Sequence, residues 1–282
     1  MSRTADLLAN QTLQSLVADM QTLPSLPAVY QQLVDALYAD NSSAEQVGRI
    51  IEKDLAMVGK ILQVVNSPFY GLRQKVSSPR HAVALLGVVN VRSLVLSHNV
   101  FKQFDQSRLP FFSLDVLWQH GVTTANHARA IAVEEGTTGE VEEDAFTAGL
   151  LHDVGTLVIA SNFPDRYTEV LALMQEREIV EWEAEREVLG VTHAEVGGFL
   201  LGKWALHDAV VEAVAFHHAP LPCADEGFTP LAAVHVANVL EEQDEAGHVS
   251  GFGPSVDDEY LAACGLSDRL PIWQALCRHT VA

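Results

Sequence analysis

Cysteine is scarce. Cys223, Cys264 and Cys277 are an odd, widely spaced set, and no CxxC pair occurs. That argues against a disulfide framework and a cysteine zinc site, and it suits a reducing compartment. Basic residues are also few: 17 Lys+Arg stand against 37 Asp+Glu, a formal charge of -20. So acidic a surface repels phosphate backbones and the anionic leaflet, so neither nucleic acid nor inserted membrane is an expected partner. Long apolar runs are missing too. The longest, Ala82 to Val89, falls far below a membrane span. The opening stretch MSRTADLLAN lacks the apolar core of a signal peptide. These absences point to a soluble, cytoplasmic protein. There is no Walker loop, no GxGxxG after a strand, no GxSxG elbow and no HExxH, which removes the commonest nucleotide, hydrolase and zinc-protease signatures.

What the chain does have is helical punctuation. Its 282 residues are 48% hydrophobic, enough for one large or two small domains with a buried core. Ser42 to Glu45 fits a capping box, and Thr192 to Glu195 fits another. Leu55, Val58, Leu62 and Val65 recur at helical spacing, and the helix should stop before Pro68. Ser78-Pro79 reads as an N-cap with proline at the first helical position, and Gly87 as the end of that helix. The valine-rich stretch Val88 to Leu96 is assigned to helix. Ser113 should cap a helix carrying Trp118 and His120, and a further helix should begin near Asp144 and carry His152 and Asp153. Asp208 should cap the helix ending at His217-His218, and Pro230 should open one through Val239. A loop from Gly247 to Pro254 precedes a last helical pair. There is no internal repeat and no β-hairpin signal, so the fold class is all-α. A soft boundary falls at Asp105 to Phe112, and without a Gly/Ser-rich linker the halves should pack together.

The chemistry concentrates in histidine. The adjacent pair His152-Asp153 lies inside the apolar run Gly149 to Gly155, and neighbours on one helix point about 100° apart, so such a pair can grip one ion from two directions. Imidazole plus carboxylate suits a borderline divalent metal. His120 lies one helix earlier, His193 one helix later, and His217-His218 form a second adjacent pair. His127 shares the stripe of His120 but reads as packing, while His81, His98, His207, His248 and His279 read as surface or capping residues. The four tryptophans, Trp118, Trp182, Trp204 and Trp273, read as core, and the charged run Glu176 to Glu187 as a solvated helix face.

The order His, His-Asp, His, His-His resembles the HD superfamily of metal-dependent phosphohydrolases, including the HD-GYP cyclic-di-GMP phosphodiesterases. Leu23 to Pro27, Lys53 to Leu55, Val65 to Gly71 and Ala82 to Gly87 look like the signature segments of the HDOD family, and the resemblance covers roughly residues 20–245. It implies an N-terminal helical subdomain packed on a C-terminal HD-like helical subdomain, together a multi-helix bundle. The expected divisions are an N-terminal helical extension (1–22), the N-terminal subdomain (23–110), the HD-like subdomain (111–245) and a C-terminal loop with helices (246–282).

Departures from the enzymes of the superfamily shape the functional expectation. Asn238 stands where the closing aspartate belongs, and Thr156 follows Gly155 where HD-GYP enzymes carry a lysine. Val116 replaces a glutamate one turn before His120, and Ala219 to Pro222 replaces the GYP stretch. Asp153 is then the one acidic residue among the matched positions, too little negative charge for two divalent ions in a partly dry site. The expectation is a bacterial signalling or regulatory scaffold that acts through signalling-protein partners and has no catalytic residues. One divalent ion (Fe, Mn or Zn) would be held by His120, His152, Asp153, His193, His217, His218 and Asn238, with a small-molecule or nucleotide ligand left open. The alternative is a metal-dependent phosphohydrolase acting on a nucleotide or cyclic dinucleotide.

Overall fold

The computed structural model describes residues 3–38, 44–225, 227–245 and 254–280, with the side chains at 35–38, 44–46, 244–245 and 279–280 left aside. The first capping box therefore lies outside the described residues at Ser42, as do His248 and most of the 247–254 loop. No strand occurs among the described residues, and the chain is all-α. In order the helices are α1 (Arg3–Leu8), α2 (Gln11–Ala18), α3 (Ala28–Tyr38), α4 (Ala44–Ile51), α5 (Leu55–Val65), α6 (Pro79–Leu86) and α7 (Val88–Phe101). There follow α8 (Leu114–Glu134), α9 (Gly139–Leu151), α10 (Val154–Asn162), α11 (Pro164–Arg177), α12 (Glu181–Leu189) and α13 (His193–Lys203). The last are α14 (Asp208–Phe216), α15 (Pro230–Glu245), α16 (Asp258–Ala263) and α17 (Leu270–Thr280). No single described helix is long and apolar enough to cross a membrane.

The backbone separates into two compact units. The smaller comprises Pro24–Phe104 with Arg278–Ala282, the larger Met1–Leu23 with Asp105–Cys277. In the smaller unit, Asp54 caps α5 by accepting from the amides of Ala56 (3.0 Å) and Met57 (3.3 Å), and its second oxygen meets Lys102 Nζ on α7 at 2.9 Å. The cap fixes the rotation of α5, and the buried stripe is Met57, Ile61, Val64 and Val65. That corrects the spacing read from the sequence: Leu55 is 84% exposed. Because α5 is apolar on more than one side, periodicity alone could not choose the face. Asn66 explains the motif after α5. Its Nδ2 donates to the Leu62 and Val76 carbonyls (2.8 Å each) and its Oδ1 accepts from the Val76 amide (2.7 Å), tying the following loop back to the helix. Ser78 caps α6 with Pro79 behind it, and Gly87 (φ 82) makes the sharp turn into α7. Val88 to Leu96 is helical as read.

In the larger unit, α8 packs along α9 and α15, while α13 packs on α10 and α14, and α1 lies against α13. Two glycines of the Gly149 to Gly155 run let backbones come close. A Cβ at Gly149 would lie 2.6 Å from Ala125 Cα on α8, and one at Gly155 would overlap the His193 carbonyl. Only a residue without Cβ permits either approach. The helix expected from Asp144 starts earlier, at Gly139, because Thr138 supplies an extended first residue and Glu140 and Glu142 suit the helix N-terminus. His207, not Asp208, takes the cap position of α14. Its ring Nδ1 is 2.6 Å from Asp144 Oδ2.

Candidate metal centre

His152 and Asp153 do not share a helix as the sequence suggested. They form the joint between the end of α9 and the start of α10. His193 is the first residue of α13, after a complete capping box between Thr192 and Glu195, and His217 follows the last residue of α14. His120 (α8) and Asn238 (α15) sit in helix interiors. Residues at a helix end are free of the ladder on one side, so one centre can collect side chains from several helices.

All seven predicted residues come together. Asp153 Oδ2 lies 3.1 Å from His152 Nε2 and 3.6 Å from His120 Nε2, and Oδ1 lies 3.4 Å from His193 Nε2 and 3.7 Å from His217 Nε2. Nε2 of His218 is 3.0 Å from Nε2 of His193. Asn238 Oδ1 is 3.0 Å from His120 Nε2. Two groups of candidate ligand atoms within 4.8 Å of one another meet at Asp153, one of Asp153, His193, His217 and His218 and one of His120, His152 and Asp153, while a third joins Glu181, Glu185 and His193.

The donor chemistry fits a divalent cation. Nδ1 of His152 faces the Gly149 carbonyl, Nδ1 of His217 the Val214 carbonyl and Nδ1 of His193 the Glu185 carboxylate, each at 2.8 Å. Each acceptor fixes the Nδ1–H tautomer and so turns the Nε2 lone pair inward, the usual outer support of metal-binding histidine. His217 Nε2 is buried and has no hydrogen-bond partner. His235, by contrast, is fully used: its Nδ1 donates to the His217 carbonyl at 2.7 Å and its Nε2 accepts from the Asp257 amide at 2.9 Å.

The charges are sorted. Burial alone would lower the His193 pKa, but Glu185 and Asp153 outweigh it and hold it well above the ordinary imidazole value. Burial likewise works against His152, and Asp153 overrides it to raise that pKa. Burial opposes ionisation of Asp153, yet His152 and His193 drive its pKa well down. His217 and His218 are pushed well down, by burial first and by neighbouring imidazoles second. Without an ion, the Asp153 carboxylate is thus held between two rings that favour the proton, His152 and His193, beside the neutral rings of His217 and His218.

A cavity of about 230 Å³ opens on this cluster, with His120, Asp153, Glu181, Trp182, His193 and Glu242 among its walls. It adjoins a larger one of about 540 Å³, with which it shares Trp182 and His218. Burial and then repulsion from Glu185 push Glu181 up to about 7, and burial and then Asp153 do the same to Glu242. Glu242 also accepts from Asn238 Nδ2 at 2.6 Å.

The charged run Glu176 to Glu187 is thus not a plain solvated face. Glu185 is fully buried, Glu181 accepts from Tyr167 Oη at 2.7 Å, and Trp182 lines the cavities instead of the core. The clue was available: Glu181 and Glu185 sit four apart, in register with buried Ala184 and Leu189. Trp118 and Trp273 are core residues as read, and His127 is buried outside the candidate ligand groups.

Comparison with known proteins places this geometry in a family. Residues 23–220 match the HDOD domain family. The chain superposes on an HDOD domain protein of unknown function from Geobacter sulfurreducens with a TM-score of 0.69 at 22% identity, over 98% of both chains. A candidate phosphohydrolase from Shewanella amazonensis SB2B gives 0.68 at 21%, covering 98% of this chain and all of that one. A candidate signal transduction protein from Marinobacter aquaeolei VT8 gives 0.67 at 20%, over 98% of this chain and 64% of that one. An uncharacterized protein of Treponema pallidum (strain Nichols) is 27% identical over 232 residues, 80% of this chain. The chain spans only 44% of that relative's length. At these identities the structural likeness speaks for the fold, and the match over most of the length speaks for descent: the chain belongs to the HDOD family.

Proposed function

We propose that the chain is a signalling or regulatory scaffold that acts through protein partners and catalyses no reaction, and that its larger unit holds one divalent ion. His120, His152, Asp153, His193, His217 and His218 would hold the ion, with Asn238 as a neutral neighbour; iron, manganese and zinc all suit this donor set. Such an ion would supply Lewis acidity and would lock together the helix ends that carry its ligands. The protein's own part is visible in the fixed tautomers: the Gly149 and Val214 carbonyls and the Glu185 carboxylate orient three rings.

The observation that carries the non-catalytic reading is the wall of the cavity over the centre. Its described polar lining is Asp153, Glu181 and Glu242 beside His120, His193, His218 and Ser113, with no Lys or Arg. Phosphoryl transfer draws on cationic groups fixed on the non-bridging oxygens, and no Lys or Arg stands in this lining to supply one. Thr156, which stands where the related enzymes carry lysine, is buried. The designation of the Marinobacter relative as a candidate signal transduction protein supports the same reading.

One arrangement favours the second reading, a metal-dependent phosphohydrolase: Asp153 is shared by the two histidine-rich groups, as a carboxylate bridging two ions would be. Elemental analysis of the purified protein, beside hydrolysis assays with cyclic dinucleotides and mononucleotides, separates the two. Near-stoichiometric divalent metal with no turnover is the expected result. Robust hydrolysis by the unmodified chain would overturn the scaffold reading.

A further inference from the structure

We propose that Glu185 is a positioning residue of the metal centre, supplying through His193 the second negative charge that Asn238 does not. The inference rests on the metal-binding reading above. It begins from an energetic puzzle. Glu185 is 0% exposed on α12, and a buried carboxylate is costly unless it is paired and hydrogen-bonded.

Both of its bonds go to one residue. Oε2 accepts the backbone N–H of His193 at 2.7 Å and the ring Nδ1–H at 2.8 Å, while Oε1 has no hydrogen-bond partner. Two bonds from a single oxygen to main chain and side chain leave the His193 ring little rotational freedom. They also put the proton on Nδ1, so that Nε2 faces Asp153 Oδ1 at 3.4 Å. A carboxylate behind an imidazole raises the basicity of the opposite nitrogen and makes it a stronger ligand. No Lys or Arg ion pair with Glu185 occurs among the described residues.

The alternative is a purely structural role, since the backbone bond alone would serve to satisfy the N-terminus of α13. Two features speak against it. Thr192 already caps that helix, with a complete capping box to Glu195. And the ring bond serves no helix end. Glu185, Glu181 and His193 also bring ligand atoms within 4.8 Å of one another, so the acidic side of His193 continues to the cavity wall.

The test uses the full-length chain and three variants, E185Q, E185D and D153N. Zinc and cobalt affinities are measured by calorimetry, the Co(II) absorption spectrum is recorded, and ¹⁵N NMR reads the His193 tautomer in the zinc-loaded protein. E185Q is expected to weaken metal binding roughly 10- to 100-fold, to shift the cobalt spectrum and to lose the fixed Nδ1–H form, with E185D recovering part of the affinity. D153N should abolish binding. If E185Q binds zinc as tightly as the parent while D153N does not bind, the inference is wrong and the metal-centre reading stands. If the parent itself binds no metal, both fall. Should E185Q fail to fold, the parent decides: an Nε2–H tautomer of His193 with zinc bound would overturn the proposal, and an Nδ1–H tautomer supports it.

Discussion

Nε2 of His120 lies 3.0 Å from Oδ1 of Asn238, and the amide's other end donates to Glu242 at 2.6 Å. Asn238 therefore bridges a candidate ligand and a half-buried carboxylate. Replacing it with aspartate puts a full charge beside the centre and removes the donor that Glu242 relies on. For Asn238→Asp we expect divalent affinity to rise by about tenfold, near 1.4 kcal/mol. The melting temperature should fall in chelator and recover with manganese or zinc. Calorimetric titration beside thermal melts reads both, and an unchanged affinity would place Asn238 outside the centre.

Gly155→Ala tests how the centre is held rather than what it holds. The added methyl would overlap the His193 carbonyl, backbone against backbone, so α10 and α13 would have to part. Overpacking of this kind costs roughly 3 kcal/mol at its severe end. Urea unfolding should show that loss, with metal affinity falling alongside. A variant as stable as the parent would mean that the two helices can slide apart without strain.

His207 and Asp144 give a pH signature away from the histidine cluster. The bond between them raises the His207 pKa above its ordinary 6.5, with burial opposing. A raised pKa makes the stabilisation fully present below about pH 6.5 and loses it as pH climbs through the folded-state value. The His207 side chain is 56% exposed, so solvent screening limits the gain to on the order of 0.5 kcal/mol. Asp144→Asn should flatten that part of the stability profile above about pH 6.5. Parallel profiles for parent and variant would contradict it.

In the smaller unit, Asn66→Ala removes three bonds to Leu62 and Val76 at once. The Val76 amide and carbonyl would lose buried partners, a cost of about 1–3 kcal/mol. Hydrogen exchange at the Val76 amide should accelerate far more than at amides within α7. Equal protection in both proteins would show that the loop holds without Asn66.

Caps, prolines and glycines made most helices legible in the sequence, since each leaves a local chemical mark: Ser78, Ser113, Thr192 and Gly87 stand where expected. The clustered histidines were legible because imidazole is rare among apolar neighbours. The face of α5 was not, because its apolar residues outnumber one stripe and the Asp54 cap settles the rotation. The role of Glu185 was hidden for a related reason. A glutamate in a run of charges looks solvated until the chain brings His193 back against it.

The cluster gathered at the His152–Asp153 joint spans a long stretch of sequence. An ion held between His120 and His218 closes a loop of 218 − 120 = 98 residues. Because the site exists only when the chain is folded, the ion's binding free energy adds to the stability of the fold and holds that loop closed. The centre would then act as a reversible staple whose closure follows ion availability. Metal concentration would become the stiffness of the larger unit, a form in which a partner protein can read it.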